Sequence, residues 1–143
     1  MDNLVDYMDN LIVYLTECPR MTLIQHTETR RTETPGGVMT TLASPTQGGT
    51  ALALWRVEVP ADKSGPVHII DTEQIWTVVA GSLTVDLDGT KLTAAEGDTV
   101  IMPANVLRQV HTEHGFTAIV TAQAGAKAGV QGSDTMVVPP WIA

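Results

Sequence analysis

From Met21 onward, the chain is cut into short runs rich in Val, Ile, Leu and Thr, each ended within a few residues by Gly, Pro, Asp or Asn. A globular helix needs roughly ten or more residues with a period near 3.6, whereas these runs are short and rich in β-formers. Many short strands without intervening helices predict an all-β sandwich or barrel. The pattern predicts strands at about 22–27, 37–42, 50–59, 66–70, 74–79, 82–87, 90–93, 98–102, 106–111, 116–122 and 135–138. Asp88-Gly89 reads as a hairpin turn between Thr84–Leu87 and Lys91–Thr93, because both residues tolerate positive φ. Gly81 reads as a tight turn between two strands, and the Ala- and Gly-rich stretch 123–132 as a mobile loop.

The chain before Met21 has a different texture. Leu4, Met8, Leu11 and Leu15 recur at helical spacing beside Val5 and Ile12, with Asp2, Asp6, Asp9 and Glu17 mostly on the other side. That predicts an amphipathic helix over 1–18, ended by Pro19. Residues 1–20 therefore read as an extension and 21–143 as the barrel, and Met21 could itself be a start. At 143 residues and 43% hydrophobic, the chain suffices for one domain with one core.

Sixteen acids against eight bases give a net charge of −8, which argues against nucleic acid and anionic membrane as partners. No apolar run reaches the ~18–20 residues of a membrane span. Cys18 is the only cysteine, so no internal disulfide forms. Acids rather than bases at the start argue against a secretory signal, and a cytoplasmic location is the expectation.

Two segments carry the chemistry: Val59–Gly81, VPADKSGPVHIIDTEQIWTVVAG, and Gly97–Thr112, GDTVIMPANVLRQVHT. Their glycines, proline and strand rhythm resemble the cupin family of small double-stranded β-helix (jelly-roll) barrels, over about residues 37–122. In that family a first motif holds His-x-His, then Glu, then Gly. Here His68 stands at the first His, Ile70 at the second, Gln74 at the Glu, and Gly81 closes the motif. In the second motif Gly97 and Pro103 match, Arg108 stands at the His and Thr112 at the closing Asn. The resemblance implies an all-β jelly-roll barrel, and a homodimer paired through its sheets.

The departures decide the expected chemistry. Cupin metal sites use three His and one Glu for iron, manganese, nickel or zinc. Ile70 cannot ligate, and a guanidinium is permanently cationic with no lone pair to give. His68 and Gln74 alone make a poor transition-metal site, so no cofactor is expected, a divalent metal on those two being the alternative. His111 lies three positions from Arg108 and should face the other side of its strand. His114 reads as a solvated turn residue, and His26 as part of the first strand.

Alternation along the strands puts Gln74, Trp76 and Val78 on one interior wall, His68 and Ile70 on another, and Arg108 and Val110 on a third. Ala53, Trp55, Val57 and Val59 complete an apolar lining. A few polar groups in an apolar cavity describe a small-molecule site. Arg108 needs a counter-charge, from Glu58, Asp71 or Glu73 or from an anionic ligand. His68 titrates near neutrality and suits general acid–base work. Gln74 can fix a carbonyl or hydroxyl, and Trp76 or Trp55 can stack on a planar ring. Catalysis is assigned to His68 and Arg108, and ligand contact to Gln74, Trp76, Trp55, Ile70 and Val110. Trp141 reads as an anchor for the C-terminal segment. Three functional readings stay open: a metal-independent isomerase, cyclase or dehydratase acting on a small polar or aromatic metabolite; a binding or sensor module without turnover; and a metal-dependent oxygenase with a degenerate site.

Overall fold

The computed structural model describes residues 21–143. The expected 1–18 helix and the 1–20 extension lie outside them. Eleven strands follow a single 3-10 turn at His26–Glu28: Arg30–Thr34 (β1), Gly37–Ala43 (β2), Leu52–Val59 (β3), Lys63–Ser64 (β4), His68–Ile70 (β5), Gln74–Leu87 (β6), Thr90–Ala95 (β7), Thr99–Met102 (β8), Arg108–Thr112 (β9), Phe116–Gln123 (β10) and Ala128–Val130 (β11). All pairings between them are antiparallel. Among the described residues no helix is long and apolar enough to cross a membrane.

The strands form two walls joined by β6. One wall runs β1-β2-β3-β10-β6 with β8 on the far side of β6; the other gathers β7, β9, β5, β4 and β11 around the second half of β6. Register explains the core between them. Trp55 faces Val120, which faces Trp76, which faces Val100; the neighbouring rung is Ala53, Ala122, Gln74 and Met102. Every residue of both rungs is buried. The period-2 alternation read from the sequence thus lands on one interior face.

Gly81 is not a turn. β6 runs unbroken through it and passes there from one wall to the other. Its φ is +71°, and an added Cβ would lie 2.1 Å from the Gly115 carbonyl oxygen. The glycine permits a bulged kink in a continuous strand, a use it shares with turns. Asp88 and Gly89 do make the hairpin, with φ of +47° and +85°.

The first expected strand, 22–27, does not form. Glu28 accepts from the Gln25 amide and Thr29 donates to the His26 carbonyl, closing a 3-10 turn that leaves His26 exposed. The edge strand begins at Arg30 instead. Its RRTET sequence lacks apolar alternation, as edge strands do. The stretch 123–132 is not all loop, since Ala128–Val130 pairs with β5. Around 135–138 a single bridge, Val137 to Ala128, replaces the expected strand. The C-terminal segment docks through fully buried Ile142 beside half-buried Trp141, and Thr41 donates to the Trp141 carbonyl.

Candidate functional site

Arg108 opens β9 directly opposite His68 on β5, with Leu87 of β6 on its other side. Directly opposed residues share a face with Cβ atoms ~5 Å apart, so guanidinium and imidazole belong to one wall. Two residues along, Val110 faces Val85 and packs half-buried on the core. His111 alternates to the other face, where it pairs with Thr84 and Ser64. His114 is exposed, beside Glu113.

Arg108 is 1% exposed. Its Nε donates to the Val106 carbonyl at 3.2 Å and its Nη2 to the Pro103 carbonyl. Its Nη1 is buried without any partner. No acid pairs with it among the described residues. Glu58 is taken by Arg56, and Asp71 accepts the Lys127 amide. The internal salt bridge considered for Glu58, Asp71 or Glu73 is therefore absent there, because each carboxylate lies on a turn or outer face. A neutral carbonyl completes a hydrogen bond but not a charge pair, so the guanidinium stays electrostatically uncompensated. Burial lowers its pKa from the ordinary guanidinium value.

His68 is half-buried, and its Nδ1 lies 2.9 Å from the Pro66 carbonyl. A carbonyl only accepts, so Nδ1 carries the proton and Nε2 holds the free lone pair of the neutral ring. Burial pushes the His68 pKa below 6.5; the Pro66 bond opposes this, and the Arg108 charge adds to the lowering. At neutral pH the ring is therefore a base rather than an acid.

On the other wall Gln74 is buried, and its Oε1 accepts from Trp76 Nε1 at 3.1 Å. An indole N–H only donates, which fixes the amide: oxygen to the indole, NH2 turned away from it. Trp76 meets Phe116 at 6.3 Å between ring centroids, tilted by 50°. Trp55 and Ile70 are buried on the interior face as the alternation predicts. Sequence reasoning did not identify the carbonyls that hold the two cationic groups, Pro103 and Val106 for Arg108 and Pro66 for His68. Both prolines flank the motif residues, so their carbonyls were reachable from spacing alone.

The four metal-ligand positions of the resembled family hold one imidazole, one alkyl group, one amide and one guanidinium. With Arg108 buried among them, this donor set does not fit a divalent ion. Two hollows, of about 610 and 440 Å³, mark the surface. The first lies around Gly81, Gly115 and Pro60, far along the chain from the motif ligand positions. The second is lined by Leu52, Ala104, Ala122 and the Asp71–Glu73 turn, and so abuts Gln74, the register partner of Ala122. Neither is lined by Arg108 or His68; the guanidinium is buried and the imidazole half-buried.

A two-walled antiparallel barrel, with the family's ligand positions on β5, β6 and β9, is the double-stranded β-helix architecture. Residues 55–123 match the family profile described as Cupin domain, and the chain belongs to the cupin family. Among solved structures it is similar to an RmlC-like cupin from Shewanella frigidimarina, with TM-score 0.62, 21% identity, and 73% of this chain and 91% of that one covered. It is also similar to KdgF from Halomonas sp., with TM-score 0.60, 22% identity, and coverage of 73% and 94%. A salicylate 1,2-dioxygenase from Pseudoaminobacter salicylatoxidans matches with TM-score 0.61 and 16% identity over 92% of this chain, which is 36% of that one. At these identities the likeness is one of fold. No protein of curated function matches the chain.

Proposed function

We propose that the barrel binds a small anionic organic metabolite without a metal, and that His68 performs acid–base chemistry on it of the isomerase, cyclase or dehydratase kind. The observation that carries this reading is the buried Arg108 guanidinium, which has an unpartnered Nη1 and no paired acid among the described residues. A carboxylate, enolate or phosphate supplies both the missing charge and the missing acceptor. His68 Nε2, neutral at pH 7, removes a proton from the anchored substrate and returns it elsewhere. The Gln74 amide offers N–H donors to a carbonyl or hydroxyl, while Trp55, Trp76, Ile70 and Val110 line the apolar remainder.

The direct test is native mass spectrometry of the purified protein, with the released compound identified. An organic anion lost in Arg108→Leu supports the assignment. With substrate in hand, His68→Ala abolishes turnover and Arg108→Leu mainly raises KM; full activity in both variants removes it. One equivalent of iron, manganese or zinc in protein purified without chelators overturns the metal-free part.

A second reading, binding without turnover, is favoured by one observation. No Asp or Glu is among the buried described residues, so His68 has no buried carboxylate as an acid–base partner. Tight binding with no product formed decides for it. We also infer a homodimer. Leu52, Ile75 and Ile101 stand exposed on the outer face of the β3-β10-β6-β8 wall, and light scattering on eluted protein tests it.

A further inference from the structure

Arg108 is 1% exposed, although the proposed ligand must reach its guanidinium. The turn between β8 and β9, Pro103–Leu107, packs on that guanidinium through two of its carbonyls. Three kinds of contact hold this turn down. The Asn105 amide donates to the Ile70 carbonyl at 2.8 Å, and the Asp88 amide donates to the Leu107 carbonyl at 3.1 Å. Arg108 reaches back to the carbonyls of both Pro103 and Val106. Asn105 sits at φ +62°, a conformation that costs a residue with a Cβ some energy and is tolerated best by Asn after Gly.

We propose that Pro103–Leu107 is the gate of the barrel, that Arg108 latches it shut, and that the ligand which opens it carries a carboxylate able to replace the two carbonyls on the guanidinium. The proposal rests on the reading of Arg108 as the ligand anchor. The exchange is favourable in kind. Nε and Nη2 form one edge of the planar guanidinium, and both now serve neutral acceptors, while Nη1 serves none. A carboxylate takes two parallel N–H donors at once and brings the missing charge, so its bonds are stronger than those to amide carbonyls. Once Arg108 turns to the ligand, the turn keeps only its two backbone bonds.

Hydrogen exchange of the full chain tests this without a known substrate. In Arg108→Met, exchange over 103–107 should rise by about tenfold or more, as expected for two lost hydrogen bonds, with β3, β6 and β10 unchanged. Equal exchange in a variant that keeps the wild-type near-ultraviolet spectrum overturns the latch. If the variant loses that spectrum, the wild-type protein decides alone. Millimolar benzoate should speed exchange of the turn and the isosteric neutral benzamide should not; equal effects, or none, overturn the gate. Benzoate that shifts the His68 ring resonances without loosening the turn also overturns the gate, while leaving the anchor reading intact.

Discussion

If Arg108 is kept for a ligand rather than for the fold, Arg108→Met should leave the free protein as stable as before or more so. The guanidinium makes two hydrogen bonds to backbone carbonyls. Bonds from a charged donor contribute about 1.5–3 kcal/mol each, so the variant loses about 3–6 kcal/mol. Against this stand the effective penalty of several kcal/mol for a buried charge without a counter-ion and about 1–3 kcal/mol for the orphaned Nη1. Methionine fills much of the same volume. The Pro103 carbonyl belongs to an exposed residue and can turn to water. The balance falls between no change and a gain of about 2 kcal/mol, or an increase in Tm of up to roughly 5–10 °C for a domain of this size. Urea unfolding with linear extrapolation measures it. Leu83→Ala, at a core position with 1% exposure, serves as the reference and should lose about 2–5 kcal/mol. A loss above about 2 kcal/mol in Arg108→Met would show that the two carbonyls compensate the charge, and the argument for an anionic ligand would fail.

Three further outcomes follow from the same geometry. His68 has a folded pKa below 6.5, chiefly through burial; the unfolded chain therefore takes up this proton first. Its contribution to stability is complete above about pH 6.5 and is lost as pH falls from there toward the lowered folded value. His68→Gln should flatten that slope in melts from pH 7.5 to 5, and an unchanged slope contradicts the assignment. In Arg108→Met the His68 pKa should rise without reaching 6.5, since the charge is the smaller lowering cause, and ring-proton NMR titration reads this directly. Gly81→Ala should cost at least about 2 kcal/mol, from a left-handed backbone and a Cβ 2.1 Å from the Gly115 oxygen; a Tm within a degree of wild type would mean that β6 re-registers freely.

What the sequence made legible follows from what alternation can encode. Trp55, Val57, Gln74, Trp76 and Val78 fall on one buried face because a strand has period 2 and the run is long enough to count it. The placement of His68 beside Arg108 was legible as motif positions, not as a contact, because opposition across β5 and β9 is set by register between segments forty residues apart. Gly81 was misread because a glycine reports that φ is positive, and both a turn and a bulged kink satisfy that. The strand at Arg30–Thr34 was missed because its partner, Gly37–Ala43, supplies the apolar residues for both. The missing counter-charge at Arg108 was invisible in sequence, where Asp71 and Glu73 stand close enough to be partners. Only the structure shows Asp71 bonded to the Lys127 amide instead.

On the proposed reading, the opposition of His68 and Arg108 also holds the base quiet until substrate arrives. Burial chiefly, and to a lesser degree repulsion from the guanidinium directly opposite, keeps the imidazole neutral. An anion on Arg108 cancels that repulsion and adds attraction of its own. The His68 pKa then rises, and Nε2 becomes a stronger base at the moment a substrate proton lies within reach. On the proposed reading, the substrate's own charge tunes the group that attacks it.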